Sequence, residues 1–197
     1  MGDNNVSFKE LKQLVEEFLE GIFALRTRRF GTVAEIMIQE LFHHISFSRD
    51  LAYDLIQADS NKRIEVKFST VMKTNEARIN PENVIDQCLK GTVQNRMMSF
   101  EDTKTMKFDC NIQQIKRKEF DILYYGLFFK DKIMIFRIPT EKITSCLGYS
   151  DFQHRGNEGE GQFHINNDTI SYHIQNWHVR DLSYEELYKL FKEHKEE

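Results

Sequence analysis

Two stretches alternate polar and apolar residues with period two, Leu51 to Gln57 and Arg63 to Val71, on either side of Ala58-Asp59-Ser60-Asn61. Alternation at that period around a polar turn predicts a β-hairpin. With the turn centred between Asp59 and Ser60, Asp54 stands opposite Glu65, and paired residues share a face. Lys67 joins that face two residues along. Tyr53, Leu55, Ile64, Val66 and Phe68 point the other way, which makes theirs the core face.

Helical signals flank the hairpin. Ser7 and Glu10 form a capping box with Val6 and Leu11 as its staple, and Phe8, Leu11, Val15, Phe18, Leu19 and Ile22 follow at helical spacing. A second helix is expected from Gly31-Thr32, with Val33, Ile36, Met37, Leu41 and Ile45 as its apolar face. Asn80 caps a third that begins at Pro81 and carries Val84, Ile85, Leu89 and Val93. Phe120 to Phe129 reads as a buried strand, turned by Lys130-Asp131-Lys132 into a second from Ile133 to Ile138. Gly161 to Ile174 suggests another hairpin, and Ser183 with Glu186 opens a C-terminal helix. The order predicts an α/β fold, a central mixed β-sheet flanked by helices with a C-terminal loop and hairpin extension.

At 197 residues, with 2 Pro and 9 Gly, one elaborated domain without an internal linker is expected. A composition 40% hydrophobic and 29% charged excludes disorder. The N-terminus has no basic start before an apolar run, and Ile122 to Phe129 is too short to cross a bilayer, so no membrane association is expected. Three scattered cysteines, Cys88, Cys110 and Cys146, fit a reduced cytoplasmic setting. The net charge of −4 is unevenly spread. Residues 60–120 carry twelve bases and eight acids, between acidic ends. That is either ordinary surface charge or the footprint of a polyanion.

An Asp directly opposite a Glu destabilises a sheet unless something positive lies between them. A divalent cation held by carboxylate oxygens is one solution, and hard oxygen ligands favour Mg2+. Lys67 would then reach a water on that ion. The other solution is an exposed hairpin in which Lys67 pairs with one acid.

Asp54 followed by Ile64-Glu65-Val66-Lys67 resembles the PD-(D/E)xK nuclease superfamily, and within it the type II restriction endonucleases. Tyr53 stands where that family has its proline, and the resemblance covers residues 7–138. It implies a restriction-endonuclease-like core in which Asp54, Glu65 and the Val66 carbonyl hold magnesium while Lys67 orients the attacking water. It further implies double-stranded DNA as substrate, 5′-phosphate and 3′-hydroxyl ends, a homodimer, and a companion DNA methyltransferase. The whole chain, 1–197, would be one nuclease domain with a recognition extension over 139–180 and a C-terminal helix over 181–197. A structure-specific junction or repair nuclease and a non-catalytic DNA-binding protein are the alternatives.

Further candidates follow. Family members often carry a glutamate on the helix before the first core strand, where Glu35 stands, although Thr32 and Glu35 also have capping-box spacing. Gln114 or Lys116, in a polar stretch before the next strand, fits a phosphate track or a solvated loop. Gln87 faces either the site or solvent. Between Asp151 and His164, Arg155 is suited to guanine, and Gln153, Asn157 or Gln162 to adenine, with His154 among them. The alternative is a mobile surface loop. The histidines make no zinc spacing with a cysteine, and Gly156 to Gly161 does not open a helix after a strand, so neither zinc nor a dinucleotide is expected.

Overall fold

The computed structural model describes residues 7–73, 77–151 and 159–193. The opening helix α1 (Phe8–Ala24) starts at the expected capping box: Glu10 N donates to Ser7 Oγ at 3.3 Å and Ser7 N to Glu10 Oε2 at 2.8 Å. Val6, the other half of the staple, lies outside the described residues. α2 (Thr27–Leu41) begins earlier than expected, with Arg26 rather than the Gly31-Thr32 pair at its N-cap. It also ends earlier, and Ile45, which happened to fit the helical period, opens strand β1 (Ile45–Phe47).

The hairpin pairs β2 (Leu55–Gln57) with β3 (Lys62–Thr70) in the register the turn predicts, Leu55 against Ile64 and Gln57 against Lys62. Asn61 takes φ 52°, a left-handed turn conformation that asparagine tolerates. The first strand is shorter than the alternation suggested. Residues before Asp54 form a turn instead, in which Ala52 N donates to Asp50 Oδ1 at 2.9 Å. Freed from the ladder, Tyr53 packs against the core opposite to Leu55.

From β3 the chain crosses through α3 (Val84–Lys90), α4 (Val93–Arg96) and β4 (Asp109–Ile115) before β5 (Ile122–Phe128) returns parallel to β3. β6 (Ile133–Pro139) then pairs antiparallel with β5. The extension contributes β7 (Tyr149–Ser150), β8 (Gly161–Asn166), α5 (Ile170–Trp177) and β9 (His178–Leu182), and α6 (Tyr184–Glu193) closes the chain. Six strands form a mixed sheet in the order β1-β2-β3-β5-β6-β9, and β4-β8-β7 form a second sheet. The single sheet and the Gly161–Ile174 hairpin expected from sequence are therefore corrected: β8 pairs with β4 and β7, and a helix follows it.

Each face of the large sheet has its own core. α1, α2 and α6 cover Leu55, Ile64, Val66, Tyr124 and Ile135 on one side. The small sheet and α5 cover Leu123, Tyr125, Leu127 and Phe136 on the other. All seven residues of β5 are buried, as befits a strand covered on both faces. Gly126 is required there, because a Cβ would collide with the Met134 carbonyl and the Phe68 ring. Among the described residues no helix is long and apolar enough to cross a membrane.

Candidate active site

Asp54 sits at the mouth of the hairpin, held from both sides: its N–H donates to Ile64 O at 3.1 Å and its carbonyl accepts from Ser48 N at 3.0 Å. One step beyond the last ladder pair, β2 ends and the edge of β3 is uncovered. There Val66 N donates to Asp54 Oδ2 at 2.8 Å, so a side chain replaces the missing strand. In a regular strand a residue's N–H and C=O leave on the same edge. The Val66 carbonyl therefore points to the Asp54 side, while Arg63 O, of the opposite parity, turns to β5 and accepts from Asp121 N at 2.9 Å.

Glu65 and Lys67 project from the face covered by the small sheet. Lys67 Nζ is in contact with Glu65 Oε1 and lies 3.6 Å from Asp54 Oδ2. The Glu65 side chain is only 12% exposed. Burial pushes its carboxyl up to about 7; the Lys67 ammonium pulls against that and Asp54 adds to it. For Lys67 burial works downward, but the Glu65 and Asp54 carboxylates outweigh it and hold the ammonium above its usual value. The cluster thus has two acids sharing one cation in a half-dry setting, and the deeper acid ionises reluctantly.

Glu35 approaches from α2. Half-burial raises its carboxyl, Asp54 raises it further and Lys67 lowers it, so it lies within electrostatic reach of both. The capping reading does not hold. Thr32 is inside α2 and its hydroxyl donates back to Arg28 O at 3.3 Å. Glu119, which no spacing singled out, also adds to the upward shift of Glu65. It stands on the turn between β4 and β5, and only the folded chain brings it near.

The remaining candidates are dispersed. Gln114 is exposed at a bulge in β4, with φ 61°, and Lys116 pairs with Glu119 at 3.7 Å. The polar stretch expected to be a loop is thus a strand of the small sheet. Gln162 lies on β8 at 7% exposure, so it meets a base only if that strand moves. Gln153, His154, Arg155 and Asn157 lie outside the described residues. Gln87 lines a separate groove between α3 and α4. His173 is buried in the second core, its Nδ1 2.8 Å from Tyr125 Oη.

Among the described residues no group of three or more His, Cys, Asp and Glu side chains is arranged to hold a metal ion. What the hairpin mouth offers a cation is two carboxylates and one carbonyl directed to the same edge, an all-oxygen set that suits a hard ion such as magnesium. No known protein family matches the chain, and no curated protein matches its sequence.

Proposed function

We propose that the chain is a magnesium-dependent, site-specific endonuclease of double-stranded DNA, on a restriction-endonuclease-like core. The observation that carries this is the convergence of Asp54, Glu65 and Lys67 where the edge of β3 is uncovered, with the Val66 carbonyl turned toward them. Asp54, Glu65 and that carbonyl would hold the ion, with Glu35 beside them. When bound, magnesium supplies positive charge to the phosphoryl oxygens and the departing oxygen.

The protein's own groups do the positioning. Val66 N–H fixes the rotamer of Asp54. Lys67 would donate a hydrogen bond to a water and align its lone pair with phosphorus. The water oxygen bonds to phosphorus as the bond to the 3′-oxygen breaks. The water gives up a proton to solvent and the leaving oxygen takes one. The products are a 5′-phosphate and a 3′-hydroxyl.

Incubating the protein with plasmid and magnesium tests this. Discrete fragments with 5′-phosphate ends support site-specific cleavage. Cleavage of branched substrates alone would replace it with a junction or repair nuclease, and no cleavage with a non-catalytic DNA binder.

A further inference from the structure

Beyond the C-terminal end of β3 lies a groove of about 660 Å³ whose lining includes Lys73, Gln87, Lys90, Asn95 and Arg96, with no carboxylate among the described residues that line it. Its walls are tied together, Lys73 N donating to Arg96 O at 2.8 Å and Met72 bridging Met97. The cations are poorly neutralised. Among the described residues neither Lys73 nor Arg96 makes an ion pair, and Lys90 has only an exposed partner, Asp86, at 3.3 Å. Arg96 Nε is buried without a hydrogen-bond partner among the described residues, a costly arrangement for a guanidinium. Asp102 lies close enough to feel Lys73, but its carboxylate is engaged by Ser99 N at 3.0 Å.

Three cations and two amides, with no acid among the described residues that line the groove, suit an anion with several oxygens. The position of the groove suggests which anion. Lys73 continues the alternation of Glu65 and Lys67 and so lies toward their face of the sheet, as Val71 between them does in packing against the second core. Six residues of extended chain at roughly 3.3 Å each place it about 20 Å from Lys67. That is about half a turn of duplex DNA.

We propose that this groove grips the phosphate backbone of the duplex about half a helical turn from the bond presented to Lys67. It rests on the nuclease reading of the hairpin site, and binding can be measured apart from cutting. The test is anisotropy of a labelled duplex with the full chain in magnesium-free buffer across a salt series. Lys73→Gln and Lys90→Gln should each weaken binding several-fold and flatten the slope of log affinity against log salt by roughly 0.9, the double variant by about twice that. Lys73→Arg should restore the slope. Should Arg96→Gln fail to fold, the half-buried Lys73 and the exposed Lys90 still decide the matter. Unchanged slopes in the lysine variants of a protein that cuts plasmid overturn the groove and leave the nuclease standing. Altered slopes in a protein that never cuts support the groove and remove the nuclease. Inorganic phosphate bound in the groove of a protein with no affinity for duplex overturns it in favour of a small-anion site.

Discussion

At the scale of single residues, two buried groups pull the pH dependence of stability in opposite directions. Glu65 is raised from 4.5 to about 7 in the folded chain, so its contribution is fully present below pH 4.5 and is lost as pH rises through 7. His173 is lowered by burial from 6.5 to about 4, so its contribution is present above pH 6.5 and is lost as pH falls through 4. Each is on the order of 3 kcal/mol, and between pH 4.5 and 6.5 they largely cancel. Glu65→Gln removes one slope. In metal-free buffer this variant should be most stable near neutral pH and should lose stability steadily toward pH 4.5, while the wild type stays nearly level. Denaturant titrations across that range check it, and parallel curves for the two proteins would contradict it. Tyr125→Phe should cost about 1–3 kcal/mol, because it takes the hydroxyl from the buried His173 Nδ1 and leaves it the weak contact with Cys146 Sγ at 4.0 Å.

At the scale of elements, caps and exposed faces give sharper tests. Ser183 accepts from Glu186 N at 3.2 Å while Glu186 reaches back to Ser183 N at 2.8 Å. Ser183→Ala should therefore cost about 1 kcal/mol in thermal or chemical unfolding. Thr32→Ala, within α2, should cost less than about 0.5 kcal/mol. Equal losses would put the start of α2 back at Thr32. The hairpin and its register were legible because turn residues and alternation agree over one local stretch. The β5–β6 pair was legible because its apolar runs are bounded by Lys130-Asp131-Lys132. β4 was hidden because the bulge at Gln114 breaks its alternation, and β9 because four of its five residues are exposed and show no pattern. α3 misled differently. Val84, Ile85 and Leu89 have helical spacing, yet they are 39%, 74% and 72% exposed, and the segment from Asn80 to Asn83 is a turn in which Asn80 Oδ1 accepts from Glu82 N and Asn83 N.

At the scale of the whole molecule, the site is assembled from parts far apart in sequence. Asp54, Glu65 and Lys67 could be grouped by counting along one hairpin. The resemblance had already pointed to Glu35 on α2, whereas bringing Glu119 from the turn before β5 into their field required the fold. The small sheet is equally non-local, since β4 finds β8 with Asp109 opposite Asn166 and Ile115 opposite Gly161. On the proposed nuclease reading one such site would cut one strand, and a palindromic target is most simply cut by a two-fold pair. The protein on a specific duplex should therefore sediment as two copies per DNA, and one copy per duplex would contradict that assembly. The central claim is that the hairpin carboxylates and Lys67 serve hydrolysis rather than folding. Its most direct test is the rate of plasmid cleavage in magnesium by the wild type and by Lys67→Ala, each shown to be folded by its unfolding curve. The expected result is discrete fragments from the wild type and a rate at least about a hundredfold lower in the variant, with duplex binding retained. Cleavage by folded Lys67→Ala at the wild-type rate, or a wild type that leaves the plasmid intact, would contradict it.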